Sequence, residues 1–279
     1  MRFPRPLEKL SKQLARGRLN ARERIVCLCD RNSFSEYGLL AGGNPPGGQE
    51  SLAGDGVVGG TGRIEGRSVV VIAEDFTVKG GSIGHPNAAK RTRLVRLVLG
   101  TSAGHGALTG MFADLIVMAE GAALFSAGPP LVKAALGIET TPGELGGATL
   151  HTRDSGVAHN LGKTEQDCIA MARYFLSLLP AHAGAPLPEN RDHPVAAHRS
   201  VECMMDIIPP QANQAYDMRE VLRELVDEQS LFELQPDYGR SILTAPCRIG
   251  GVPCMVIANQ PTVQAGAITR EAADKATHF

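Results

Sequence analysis

The chain has no tryptophan, only four tyrosines and eight phenylalanines, and aromatics make up 4% of its 279 residues. Neither charge is in excess: 28 Lys and Arg face 29 Asp and Glu, for a formal net charge of −1. That balance excludes nucleic acid and anionic membrane as principal partners. No stretch approaches the roughly 20 apolar residues of a membrane span. The N-terminal stretch MRFPRPLEKLSKQLARGRLNARERI lacks the apolar core of a secretory signal, and Glu8 and Glu23 argue against a transit peptide. The expected location is cytoplasmic. Cys27, Cys29, Cys168, Cys203, Cys247 and Cys254 form no C-x-x-C pair, so no zinc ribbon is expected and no metal site is assigned. They read as buried thiols. What the chain does have is glycine, 32 residues, and 43% hydrophobic content, the composition of a soluble, turn-rich α/β enzyme.

Leu7, Leu10, Leu14, Ile25 and Leu28 recur at helical spacing, which predicts a helix over 7–30. AGGNPPGGQE (41–50) is a loop by composition. GRIEGRSVVVIAEDF reads as a β-hairpin turning at EG, with a buried strand over 69–73. GGSIGHPNAAKRTRLVRLV reads as a glycine turn entering a helix, and residues 137–160 as loop-rich. TEQDCIAMARYFLSLLP predicts a helix capped by Thr164 with Asp167 three residues on and stopped by Pro180. Residues 181–198 resemble a linker, and AYDMREVLRELVDEQSLFEL an amphipathic helix. The strongest pattern is internal. A shift of 185 residues lays 63–92 on 248–277 with 13 of 30 positions identical and no gap, among them Arg63, Gly66, Val71, Ile72, Ala73, Thr77 and Lys90.

Between Leu97 and Gly121 an apolar run meets a glycine-rich turn, LVLGTSAGHGALTGMFADLIVMAEG, and three chemistries fit it. GTSAG matches G-x-S-x-G, which makes Ser102 a serine-hydrolase nucleophile, but no spacing ties to it any one of Asp154, Asp192 or His193. GHGALTG is a loose dinucleotide-binding fingerprint, whose expected acidic residue about 20 positions on is missing. The third reading needs no side chain. Glycine lets the backbone approach a substrate closely, and the first amides of a helix lack internal acceptors, so AGHGA can present N–H groups to an enolate oxygen. Leu108, Met111, Phe112, Leu115, Ile116 and Met118 then predict a buried helix that holds the turn rigid.

GTSAGHGALTGMFADLIVMAEGAALFSAGP resembles the enolate-stabilising turn of the crotonase superfamily. RGRLNARERI, GDGVVGGTGRIEGR, EDFTVKGGSIG, GELGGATLHTRDSGVAH and ANQPTVQAGAI, in this order along nearly the whole chain, resemble the carboxyltransferase (beta) component of biotin-dependent acyl-CoA carboxylases of the propionyl-, acetyl- or methylcrotonyl-CoA type. The resemblance implies an α/β, crotonase-like spiral of ββα units with a helical N-terminal arm, built in two such halves. It implies transfer of a carboxyl group from carboxybiotin to the α-carbon of an acyl-CoA through a thioester enolate. The backbone amides of Gly104, His105 and Gly106 are expected to hold the thioester oxygen, with the His105 side chain a wall and not a base. Lys79, Gly80, Gly81 and Ser82 are expected on the CoA. Biotin is expected on the carrier domain of a biotin carboxylase partner, the chain is expected to form a homo-oligomer, and no metal is required in this half-reaction.

Two departures from that pattern bear on competence. Relatives have some tens of residues between the AAKRTRLVRL helix and VLGTSAGHGA, which abut here. The second half stops after its opening, which divides the chain into 1–237, an acyl-CoA-binding domain lacking a segment near residue 97, and 238–279, the opening of a truncated second domain. An alternative function is therefore a catalytically incompetent binding or assembly piece. PCMVIA is expected to expose apolar strand surface. His151 and His159 read as loop histidines satisfied by backbone bonds before they read as acid–base groups. Glu74 and Asp75, adjacent on a strand, point to opposite faces. Lys79, Lys90, Arg91 and Arg93, like Arg16, Arg18, Arg22 and Arg24, fit CoA phosphates no better than solvated helix faces.

Overall fold

The computed structural model describes residues 7–37, 56–75, 77, 95–110, 113–181, 184–190, 201–211 and 213–279. The chain divides into two compact units, Met1–Ala148 with Leu161–Arg173, and Thr149–Asn160 with Tyr174–Phe279.

The first unit opens with α1 (Leu7–Ala15) and α2 (Ala21–Leu28). The single helix predicted over 7–30 is broken by two local signals. Gly17 takes φ +69°, a left-handed stop, and Asn20 starts α2 with a capping box. Asn20 Oδ1 accepts from the Arg22 and Glu23 amides, both at 3.0 Å, while the Asn20 amide donates to Glu23 Oε2 at 2.7 Å. Next come β1 (Ser35–Tyr37), β2 (Val57–Ile64) and β3 (Arg67–Glu74), one antiparallel sheet in that order. Ala21, Ile25 and Cys29 of the helical arm bury against Val58 and Val71 of the sheet.

A parallel layer follows. β4 (Val95–Val98) pairs with β6 (Leu115–Ala119), and β5 (Thr101–Ala103) with β7 (Ala123–Phe125), each pair in parallel. Between β5 and β6 lies α3 (His105–Gly110), six residues long. Here the structure corrects the sequence reading. Leu115, Ile116 and Met118 belong to a strand, not to a continuation of the helix. All five residues of β6 are buried, and a parallel strand covered on both faces reads as an unbroken apolar run, which periodicity alone does not separate from a buried helix. The unit continues with α4 (Pro129–Leu136), α5 (Pro142–Gly146), β8 (Asn160–Gly162) beside β6, and α6 (Glu165–Leu178). α6 begins as predicted: the Thr164 hydroxyl accepts the Asp167 amide and Asp167 accepts the Thr164 amide.

The second unit contains a π-helical turn (Leu150–Asp154), α7 (Met204–Ile207), α8 (Met218–Leu225), the hairpin β9 (Ile242–Ile249) and β10 (Val252–Asn259), and α9 (Arg270–His278). α8 realises only the first half of the predicted amphipathic segment. The stretch after α8 is bonded directly to the β9–β10 hairpin: the Asp227, Phe232 and Leu234 amides donate to the carbonyls of Arg248, Pro246 and Thr244.

The internal repeat is explicit in three dimensions. Shifted by 185 residues, β2 and β3 fall on β9 and β10 end to end. Both hairpins turn through two residues of positive φ, Glu65 and Gly66 in one, Gly250 and Gly251 in the other, as a two-residue turn matched to strand twist requires. In each copy one carboxylate captures both turn amides. Asp30 accepts from Glu65 and Gly66 at 2.9 and 2.8 Å, and Asp227 from Gly250 and Gly251 at 2.9 and 2.6 Å. Three residues on, Ser33 and Ser230 each accept the amide of the hairpin arginine, Arg63 or Arg248, and donate to its carbonyl. The repeat therefore extends back into the helix and turn before each hairpin, beyond the 30 residues that sequence identity marks. The same faces stay exposed: Val70 and Ile72 on β3, and Met255 and Ile257 on β10. The apolar exposure expected of PCMVIA is present at those last two side chains.

The two clips differ in burial, which sets their worth. Asp227 is 1% exposed, and losing a buried carboxylate that holds two amides costs about 2–4 kcal/mol. Asp227→Ala is expected to lower the urea midpoint accordingly, and Asp30→Ala, on a solvent-exposed clip, to lower it less. A second expectation concerns acid. Burial, helped by the nearby His278, pushes the His159 imidazole down to about 4. The unfolded chain then binds a proton between pH 6.5 and 4 that the folded chain refuses, so stability falls as pH drops through that window, by on the order of 3 kcal/mol. In urea titrations at stepped pH, His159→Gln should lose that part of the slope.

Candidate active site

The turn predicted to carry the chemistry sits at the ends of two parallel strands. β5 leads to Gly104, whose φ of +62° reverses the chain into α3. An added Cβ there would meet nothing nearer than the Ser126 carbonyl at 4.0 Å. The glycine is required by its backbone angle, and among the described residues the space beside it is open.

Of the three amides expected to face a thioester oxygen, that of Gly104 donates to the Phe125 carbonyl at 3.0 Å. It completes the β5–β7 pairing. The His105 amide is the first of α3 and has no acceptor inside the helix. Gly106 follows it, on the helix face turned toward Glu74 and Ser102.

Ser102 is 7% exposed. Its hydroxyl accepts from Arg96 Nη2 at 2.8 Å, and the same nitrogen lies 3.4 Å from Glu74 Oε2. A guanidinium holds its proton throughout the physiological range and cannot act as the base a serine nucleophile needs. Glu74 and Asp75 turn to different partners, as strand alternation requires. Glu74 faces Arg96, while Asp75 Oδ1 accepts the Thr77 amide and hydroxyl at 3.1 and 2.5 Å.

Two arginines of the helical arm reach the backbone around the turn. Arg18 Nη2 donates to the Gly121 carbonyl at 3.1 Å, and Arg24 Nη2 to the Leu99 carbonyl at 3.4 Å. Arg24 also grips Glu165 with two bonds of 2.7 and 3.0 Å, and Arg22 pairs with Glu36. These three arginines are engaged by carbonyls and carboxylates of the fold. His151 and His159 belong to the second unit, where His151 Nδ1 contacts Ser155 Oγ at 2.9 Å and His159 is buried beside His278. Lys79, Gly80, Gly81 and Ser82, with Lys90, Arg91 and Arg93, lie outside the described residues. Arg96 is the residue that sequence reasoning missed. It sits in an apolar strand, and nothing in the linear chain joins it to Glu74 and Ser102.

The cysteines are free thiols, with Cys29, Cys168 and Cys247 buried. Burial pushes the Cys168 thiol up to about 12 and Cys247 up to about 11, which makes both inert. Among the described residues no three His, Cys, Asp or Glu side chains come together as a metal site, and no helix is long and apolar enough to cross a membrane.

A family model described as a carboxyl transferase domain matches residues 12–96 and 91–279. The chain is 34% identical to the methylmalonyl-CoA decarboxylase subunit alpha of Veillonella parvula, over 98% of this chain and 64% of that protein. It is 32% identical to a putative propionyl-CoA carboxylase beta chain of Bacillus subtilis, over 98% and 62%. A structure of transcarboxylase 12S, described as a hexamer assembly with methylmalonyl-CoA and methylmalonic acid bound, superposes with a TM-score of 0.87 at 28% identity, over 98% of this chain and 63% of that one. The chain thus spans less than two thirds of these relatives. The first alignment runs over 326 positions against the 279 residues of the chain, so that relative carries positions this chain lacks. The α/β fold is the crotonase-like fold of these carboxyltransferases, and the chain belongs to the carboxyl transferase domain family.

Proposed function

We propose that this chain is the acyl-CoA-binding part of a biotin-dependent acyl-CoA carboxyltransferase, and that the turn at Gly104–Gly106 holds the thioester oxygen as the α-carbon becomes an enolate. The observation that carries the reading is Gly104. It is a positive-φ glycine between a parallel strand and a helix start, with open space beside it among the described residues and, next in the chain, the first amide of α3, which has no acceptor within the helix. Such a site offers neutral, fixed donors to a charge that develops only as the reaction proceeds, which is where donors lower a barrier. Its donors are N–H groups, which suit an oxygen anion and not a metal cation.

Relatives named as biotin-dependent acetyl-/propionyl-CoA carboxylase beta5 subunits support biotin as the carboxyl carrier, borne by a partner chain. When bound, biotin supplies the carboxyl group; this chain orients the acyl-CoA and holds the thioester oxygen. Propionyl-CoA is the favoured acyl group because several relatives bear its name. The hexamer of the 12S relative supports a homo-oligomer, and the absence of a spanning helix among the described residues fits a cytoplasmic place. The division expected from the sequence, 1–237 and 238–279, stands as part of this proposal.

A second reading, a chain that binds acyl-CoA without turning it over, is favoured by one observation. The family match falls into two pieces that overlap at 91–96, where β4 begins, and the first relative has positions that this chain lacks.

One experiment separates the readings: exchange of the α-protons of propionyl-CoA for deuterium, followed by NMR. The expected result is measurable exchange that falls about 10²–10³-fold in Gly104→Val, whose branched side chain fills the open space and resists the backbone angle. Ser102→Ala should keep exchange within a few-fold, and a fluorophosphonate should not label Ser102. No exchange together with calorimetric binding of propionyl-CoA favours the second reading. Covalent labelling of Ser102 overturns both.

A further inference from the structure

The seat of α3 is charged. Three consecutive strands each send one side chain to it: Glu74 from the end of β3, Arg96 from β4, and Ser102 from β5. The helix meets them with glycine. A Cβ on Gly106 would stand 3.1 Å from Glu74 Oε2 and 3.3 Å from Ser102 Oγ, and a Cβ on Gly110 would stand 3.2 Å from Arg96 Nε. Gly106 and Gly110 are one helical turn apart and share a face. The helix backbone therefore rests directly on the guanidinium, the carboxylate and the hydroxyl.

Two physical consequences follow. A six-residue helix is too short to hold itself together in water, so contacts under it fix where it sits and how it is rotated. A carboxylate beside the first turn of α3 opposes any negative charge gathering at the turn, and Arg96, 3.4 Å from it, cancels that field. Both side chains are mostly buried, 16% and 26% exposed for Arg96 and Glu74, so solvent screens the field only in part.

We infer that Arg96 is a positioning residue for the enolate-holding turn: it ties Ser102 and Glu74 into a neutral seat that fixes α3 and shields the turn from the Glu74 carboxylate. This rests on the reading of the turn given above, and the test keeps the two apart.

Amide hydrogen exchange by mass spectrometry, on peptides covering 99–110, reads the seat without any activity. Arg96→Met is expected to speed exchange there at least tenfold, with peptides from β9–β10 unchanged. In the α-proton assay it should lower kcat about 10–100-fold and leave KM within threefold. Restoring neutrality in Arg96→Met/Glu74→Gln should recover at least half of that loss on a logarithmic scale, a rescue that a purely structural role would not give. If Arg96→Met fails to fold, Arg96→Lys, which keeps the charge but loses the planar fork, is measured in its place. Unchanged amide exchange over 99–110 overturns the inference whatever the activity, and so does a double variant as impaired as the single one. A wild-type chain with no α-proton exchange overturns the reading of the turn, while the amide data still decide whether Arg96 sets the seat.

Discussion

Three bonds converge on the Glu165 carboxylate, two from Arg24 and one from the Leu19 amide. The carboxylate is 8% exposed, and a charge held that far from water is tolerable only while it stays paired. The pair fastens the helical arm to the start of α6. Through Arg24 it also touches the Leu99 carbonyl, one residue before the bend that begins the site turn. Arg18 adds a bond to the Gly121 carbonyl, its guanidinium lying beside Gly100 as well. The arm that the sequence offers as a basic, amphipathic stretch is therefore a brace. Arg18 and Arg24 are used on carbonyls and a carboxylate of the fold, so the backbone near the turn is held by residues some eighty positions earlier in the chain.

Much of this was legible in the sequence, for reasons that differ from place to place. The hairpin turn at Glu65–Gly66 and the Thr164 cap are local signals, and local signals survive into the structure because short-range hydrogen bonds decide them. Strand β6 was misread because burial on both faces erases the alternation that marks a strand. Within the turn, Gly104 was found from its residue type, yet the engagement of its amide by Phe125 depends on the pairing of β5 with β7 across more than twenty residues. Arg96 was invisible for the same reason. Its partners are set by sheet order, and an isolated arginine between valine and leucine carries no motif.

The repeat shows which parts of a fold tolerate drift. Few positions agree between the two copies outside the segment found by shifting the chain, yet the carboxylate, the serine three residues on and the two positive-φ turn residues recur with the same bonds. What recurs is the set of groups that satisfy backbone amides. A buried or half-buried amide without an acceptor is costly in any surroundings, whereas apolar side chains exchange for one another at little cost. The buried Lys275 belongs to the same logic. Its ammonium donates to the carbonyls of Gln235 and Ile242, and burial pushes it down to about 8.

The two copies are not equally long between clip and hairpin. In the first, Tyr37 and Val57 are separated by a long connection; in the second, Leu234 is followed within a few residues by Ile242. The bridge between Leu234 and Thr244 nevertheless matches that between Tyr37 and Gly59. Two points of attachment, one before the connection and one after it, make its length immaterial to what flanks it. An ancestral duplication would leave such a connection free to lengthen by insertion in one copy and not in the other. It is thus the natural point at which foreign sequence, a reporter or an affinity handle, can enter this fold without unfastening the hairpin it precedes.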